Sequence, residues 1–283
     1  MKNDKYHEPI MVREVIEKLH IQKGRKYIDA TIGAGGHTLE ILKRGGIVLG
    51  IDADSEALKI AADRLREFEG MYKLVKGNFS SIDKLAKEAG FEKVNGILAD
   101  FGVSSPQLTS PTRGFSFQNP KASLDMRLDK ENQAVQAKDL LRFLREDQLR
   151  SLFSRVLGFP KAKILAKRIV GAREKKAIET VGDFLEIVGN LGKKRSLHPA
   201  TLAFLALRIA VNSEIENIKA FLPKAYELLK RGGKLLVITF HSLENEAVKA
   251  KFPLSEVLTP RPDEISKNPR GRSAKMRILE KKE

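Results

Sequence analysis

Asp29, Asp52 and Asp100 each close a short apolar run, and between the first two lies the turn Asp29-Ala30-Thr31-Ile32-Gly33-Ala34-Gly35-Gly36-His37, followed by a helical pattern from about Thr38. A carboxylate at the carboxyl end of a parallel strand faces the ligand crevice, and a glycine turn that restarts as a helix presents its backbone N–H groups to the same crevice. A dinucleotide fingerprint needs a third glycine three residues after the second, to pack helix on strand beneath a pyrophosphate. Counted from Gly35 that position is Thr38. An acid followed by Gly-x-Gly-Gly suits a ligand that needs backbone contacts but brings no phosphate, and S-adenosylmethionine is such a ligand. Asp52, 19 residues after Gly33, stands where a carboxylate accepts both ribose hydroxyls. A nicotinamide enzyme would share the fold and Asp52; the missing glycine argues against it.

The elements that must hold these acids can be read from periodicity. Apolar runs at Lys26–Ile32, Ile47–Asp52, Tyr72–Lys76 and Asn95–Phe101 predict strands, with amphipathic helices between them, such as Ser55–Phe68 capped by Ser55. Alternation of this kind predicts a doubly wound α/β sheet. After Gly102 no comparable strand occurs until Lys234–Phe240, which follows a helix at Ile215–Lys230 and the turn Arg231-Gly232-Gly233. The interval reads helical at Ala137–Leu144, Asp147–Val156, Lys163–Ala172, Val181–Val188 and Ala200–Val211. So long a gap between strands of one sheet predicts an inserted helical domain at 106–200, flanked by the two parts of the sheet domain at 1–105 and 201–283. Glu256–Thr259 and Met276–Leu279 predict an edge hairpin.

Composition narrows the partners. The 283 residues carry 52 Lys and Arg against 36 Asp and Glu, a net charge of +16, which is high for an enzyme of small metabolites and ordinary for one that meets nucleic acid. The excess is clustered. Lys161–Lys176, including Lys167, Arg168 and Arg173, holds seven basic residues and one acid; Lys193-Lys194-Arg195 follows; and 267–283, including Arg270, Arg272, Lys275 and Arg277, holds seven against two. Each run could be a solvated helix face, but three together point to phosphate contacts. With a polar start, no cysteine and no apolar stretch near 18 residues, the expectation is a cytoplasmic protein without membrane spans or disulfides. No paired cysteines and no His-x-x-x-His spacing suggest a metal.

Beyond these readings, the chain resembles the small-subunit ribosomal RNA methyltransferase H family. The resemblance is carried by Tyr6–Met11, Asp29–His37, Asp100–Leu108, Arg113–Phe117, Leu124–Arg127, His198–Thr201, Leu207–Asn212, Phe240–Glu244 and Asn268–Ser273. It implies a Rossmann-like S-adenosylmethionine-dependent methyltransferase with a helical insert, acting on the exocyclic N4 of a cytidine in the decoding centre of 16S ribosomal RNA, with the small ribosomal subunit as partner. It also implies cofactor contacts from Gly35, Gly36, His37, Asp52, Phe79, Asp100 and Gln107. Phe101 departs from the family's usual Leu.

Asp100 is the first choice for the group that takes the proton of a weakly nucleophilic amino nitrogen, which must be held about 3 to 3.5 Å from the methyl sulfonium. The helical insert and the 270–277 segment are the expected phosphate clamps. Phe115 or Phe117 is a candidate to stack on an extruded base. Each residue has a plainer role to compare: a cap for Asp52 or His37, core for Phe79, a hydrogen-bonded structural histidine at 241, and a mutual pair for Asp125 and Arg127. A non-catalytic RNA-binding module would explain the charge and leave the three strand-end acids unexplained.

Overall fold

The computed structural model describes residues 9–191, 198 and 200–282. Tyr6-His7-Glu8, Lys193-Lys194-Arg195 and Pro199 lie outside the described residues. The chain divides into two compact units, Met1–Ser104 with Ile215–Glu283, and Ser105–Glu214. In chain order the first comprises α1 (Val12–Leu19), β1 (Lys26–Asp29), α2 (Gly36–Lys43), β2 (Ile47–Asp52), α3 (Ser55–Leu65), β3 (Tyr72–Lys76), α4 (Ile82–Ala89) and β4 (Val94–Asp100). The second holds α5 (Ser105–Thr109), α6 (Ala137–Phe143), α7 (Glu146–Leu157), α8 (Phe159–Arg173), α9 (Val181–Val188) and α10 (Thr201–Asn212). The chain re-enters the first unit along α11 (Glu214–Leu228), then runs through β5 (Leu229–Thr239), α12 (Ser242–Lys251), β6 (Glu256–Leu258), α13 (Pro262–Lys267) and β7 (Lys275–Glu280).

Among the described residues the strands form one seven-stranded sheet ordered β3-β2-β1-β4-β5-β7-β6. β1 to β5 are parallel, whereas β7 runs antiparallel between β5 and β6. Successive strand residues go to opposite faces. Ile28, Leu49, Ile97 and Leu235 thus join Ile82, Ala86, Phe221 and Val248 from α4, α11 and α12. Tyr27, Val48, Leu98 and Leu236 join Val15, Ile41 and Leu65 from α1, α2 and α3 on the other face. Helices on both faces explain why these strands read as continuous apolar runs.

Several details differ from the sequence expectations. β1 ends at Asp29 rather than Ile32, because the chain turns there, although Ala30 and Ile32 still donate to Leu98 and Ile51 carbonyls at 2.8 and 2.9 Å. The cap of α3 is Asp54, not Ser55: its carboxylate accepts the Glu56 N–H at 3.0 Å. The Arg231-Gly232-Gly233 turn lies within β5, opposite a register shift between Val94 and Gly96. The expected hairpin forms, but its second strand is interior and only β6 is the edge.

The second unit includes α10, which the sequence reading placed after the insert; Phe204 on this helix packs on Phe184, 5.3 Å between ring centroids, and Phe184 stacks on Phe153 at 6.3 Å. Asn212, at the end of α10, donates to the Met126 and Arg208 carbonyls at 2.8 and 2.9 Å and accepts the Leu128 N–H at 2.9 Å. It clasps a turn in which Met126 takes φ 60°, a backbone conformation unusual for a non-glycine residue. Asp125 and Arg127 pair through two side-chain bonds of 2.7 and 3.0 Å.

Candidate active site

The carboxyl ends of β1, β2 and β4 are neighbours in the sheet, and each ends in one of the three acids. The turn between β1 and α2 is shaped by glycines that take left-handed backbone angles, φ 50° at Gly33 and 75° at Gly35. Gly36 is required for a different reason. A Cβ there would lie 2.7 Å from Pro9 Cγ, because the segment Pro9–Met11 straps across the turn. On its far side Ile10 covers Gly271, where a Cβ would fall 1.7 Å from Ile10 Cδ1, and the Met11 N–H donates to Glu264. The turn is also pinned to β2. Ile32 sits over Gly50, where a Cβ would lie 2.3 Å from Ile32 Cδ1.

That contact delivers Asp52 to the turn. Its Oδ2 accepts the Gly33 N–H and its Oδ1 the Asp54 N–H, both at 2.9 Å. Each oxygen keeps a lone pair for a further donor. Burial pushes the Asp52 carboxyl up to about 6, against these two stabilising bonds and with the acids Asp54 and Asp29 adding to the rise. Asp29 itself is buried and raised, again by burial first, with His37, Thr38 and Thr31 opposing. Its Oδ2 accepts the Thr38 hydroxyl at 2.8 Å. Thr38, at the position of the absent third glycine, ties helix to strand through this bond.

Asp100 is fixed through its main chain, its N–H donating to Thr31 Oγ1 at 2.6 Å. Its carboxylate lies beside His37, Nε2 to Oδ2 3.5 Å, with side-chain exposures of 22% and 6%. Neither ring nitrogen of His37 has a hydrogen-bond partner among the described residues, and neither has Asp100 Oδ1. Phe79 is half-buried in an aromatic group with Phe101 and Phe221, ring centroids 5.2 and 5.5 Å away. It therefore packs against the core while remaining partly exposed.

The remaining candidates separate in the structure. Gln107 is buried on α5 of the second unit. On α8, Lys167 is exposed, whereas Arg168 donates to the Val188 carbonyl at 2.9 Å and Arg173 to those of Leu141 and Leu144 at 2.7 Å. These bonds close the carboxyl ends of α9 and α6, so both guanidinium groups carry a structural duty. Arg270, Arg272 and Lys275 are exposed, but Arg277 is buried and donates to Asn245 and Ser255. Phe115 is buried, and Phe117 stacks on His198 at 4.6 Å. His241 caps α12: Nδ1 accepts the Glu244 N–H at 3.4 Å, and Nε2 lies 3.1 Å from Oε1 of the buried Glu244. Sequence reasoning gave no role to Thr31, Thr38 or Pro9, although Thr38 was noted at the position of the absent glycine and Pro9 within the Tyr6–Met11 block. The two threonines were legible as hydroxyls inside the glycine turn; the Pro9 contact joins residues too far apart for spacing to reveal.

Buried polar atoms without partners are rare in folded proteins, and among the described residues three of them, both His37 nitrogens and Asp100 Oδ1, lie at the strand ends beside a phosphate-free glycine turn and an acid suited to a ribose diol. The residues fit a ligand that brings an amino acid part and a nucleoside, and the fold and crevice together define an S-adenosylmethionine-dependent methyltransferase. When bound, S-adenosylmethionine supplies an electrophilic methyl group. The model of the MraW methylase family matches residues 4–257. The ribosomal RNA small subunit methyltransferase H of Dictyoglomus thermophilum is 40% identical over 98% of this chain and 97% of its own. That of Sulfurihydrogenibium azorense is 41% identical over 96% and 98%. Among solved structures, an rRNA methylase from Streptococcus thermophilus covers 96% of this chain and 94% of its own, at 11% identity and a TM-score of 0.46. The chain belongs to the MraW methylase family.

Proposed function

We propose that this protein methylates the exocyclic N4 of a cytidine in the decoding centre of 16S ribosomal RNA, within the small ribosomal subunit in the cytoplasm. The observation that carries the substrate class is identity of about 40% across nearly the whole chain to relatives named for small-subunit ribosomal RNA. The amino-group chemistry is supported by Asp100, a part-exposed carboxylate at a strand end with no base other than His37 beside it among the described residues. In this reading Gly35, Gly36 and His37 line the methyl donor, Asp52 accepts its ribose hydroxyls, and Phe79 flanks its base. Gln107 is assigned by the sequence resemblance. Asp100 holds the amino group in line and accepts its proton. Lys167, Arg270, Arg272 and Lys275 supply exposed charge for RNA phosphates.

Nucleoside analysis of small-subunit RNA from cells lacking the gene tests the target: loss of N4-methylcytidine supports it, and loss of a different methylated nucleoside assigns the enzyme to another RNA position. Asp100→Ala should leave RNA binding nearly intact and lower methyl transfer about 100-fold or more, as removal of a general base does. Normal turnover in that variant removes Asp100 from the mechanism.

A further inference from the structure

We propose that the His37 imidazole is a positioning residue for methyl transfer, holding the Asp100 carboxylate in the orientation that accepts the proton of the amino nitrogen. The inference rests on the reading of Asp100 as acceptor and assigns a second residue to the same step.

Both ring nitrogens of His37 are enclosed and have no hydrogen-bond partner among the described residues, and Asp100 Oδ2, at 3.5 Å from Nε2, is placed to serve one of them. Asp100 Oδ1 is also enclosed and without a partner among the described residues, so the 22% exposure of this side chain leaves Oδ2, the oxygen beside His37, as the open one. The Asp100 main chain is held by Thr31, which leaves the carboxylate torsion as the remaining freedom. A rotation of a few tenths of an ångström at Oδ2 brings Nε2 within hydrogen-bond distance. His37 is itself held. It lies in the first turn of α2, and the next residue, Thr38, is bonded to Asp29 on β1.

Among the described residues the charged groups beside the imidazole are Asp29 from β1 and Asp100 from β4, and Arg64 on α3 lies near the preceding glycine, its Nη1 3.2 Å from where a Cβ on Gly36 would be. Two carboxylates flank one imidazole, one buried and one open to the crevice. In the proton step the N–H bond of the amino group breaks with its electron pair staying on nitrogen, and an O–H bond forms on Asp100. A hydrogen bond from Nε2–H to Oδ2 fixes where that oxygen points before the step and stabilises its charge. Without it the carboxylate turns freely, and the fraction of encounters with correct geometry falls.

The test measures S-adenosylmethionine affinity by calorimetry and methyl transfer to small subunits purified from cells lacking the gene. His37→Ala should lower kcat about 10- to 100-fold, at or below the loss expected for the general acid–base group itself, and by a larger factor than it raises the S-adenosylmethionine Kd, since His37 also lines the methyl donor, with the acid limb of the kcat profile moved to higher pH. His37→Gln, whose amide N–H takes the place of Nε2–H, should recover most of kcat. In the Asp100→Asn background His37→Ala should cost nothing further, because the two residues act as a unit. Three results each overturn the proposal: unchanged kcat in His37→Ala, a rise in Kd that matches the loss of kcat, or His37→Gln no better than His37→Ala. If His37→Ala does not fold, the His37→Gln profile and the Asp100→Asn pairing with it decide. Normal turnover in Asp100→Ala refutes the acceptor reading instead. A damaged Asp100→Ala beside an unaffected His37→Ala refutes this proposal alone.

Discussion

Burial raises Asp52 to about 6 even though both of its oxygens accept backbone N–H bonds. The sign of the consequence can be worked out. Its folded value is above that of a free carboxyl, so the native chain binds this proton more tightly than the unfolded chain does, and its contribution to stability declines as pH rises from about 4 to 6. In the proposed reading a ribose diol donates to the ionised carboxylate, and ligand binding would then favour the form that burial disfavours. S-adenosylmethionine affinity should weaken as pH falls through 6, by about tenfold between pH 7 and pH 5, and Asp52→Asn should flatten that dependence while weakening binding throughout. Calorimetry across this pH range decides; a constant Kd in the unaltered protein would mean that Asp52 does not contact the ribose as an anion. Its position was legible in the sequence from an apolar run and a spacing. Its weakness as an acid was not, because that depends on Gly50 admitting Ile32 and so closing the turn over the carboxylate.

At the scale of elements, α8 shows how a charge run resolves once its partners are known. Arg173 bonds two carbonyls at the end of α6, and Arg168 one at the end of α9, whereas Lys167 is exposed on the same helix. Arg173→Ala should destabilise the second unit by about 1.5 to 3 kcal/mol per lost charge-assisted bond at most, read as a fall in melting temperature. Lys167→Ala should leave melting unchanged and reduce the slope of log RNA affinity against log salt by about 0.7 to 0.9. Equal melting temperatures for the two variants would contradict the division of labour. The sequence revealed the helix and its charge but not this sorting, since the acceptors are main-chain carbonyls 20 and more residues away. The same limit applied to Leu124–Arg127 and Leu207–Asn212. They were recognisable as motifs, and the structure makes them one unit through the Asn212 amide. The parallel strands were easier to read, because burial on both faces writes itself into the composition of every residue along them. Boundaries were harder: a strand end is set by where the chain turns, and at Asp29 hydrogen bonding continues past the turn.

For the molecule as a whole, the strap at Pro9–Met11 connects the glycine turn to the segment that carries Arg270 and Arg272. Ile10 and Gly271 fit so closely that Gly271→Ala must displace Ile10, which should cost about 1 to 3 kcal/mol by overpacking and weaken S-adenosylmethionine binding by loosening Pro9 over Gly36. Adding Ile10→Ala should restore part of the stability of Gly271→Ala, measured by denaturant unfolding. Additive losses in the double variant would show that the two residues do not share a contact.

The seat of this strap also sets an order in time. During synthesis β1 to β4 are available once residue 100 has emerged, but β5 begins at residue 229, and Gly271 and β7 come later still. At synthesis rates of about 5 to 20 residues per second, residue 271 follows residue 100 by roughly 10 to 30 seconds. Through that interval β4 has an unpaired edge, and Pro9 has no anchored neighbour to press it onto Gly36. The nascent chain thus carries the signature turn long before it carries the seat that holds the strap over it, and the arrival of Glu264 and Gly271 is what joins the two.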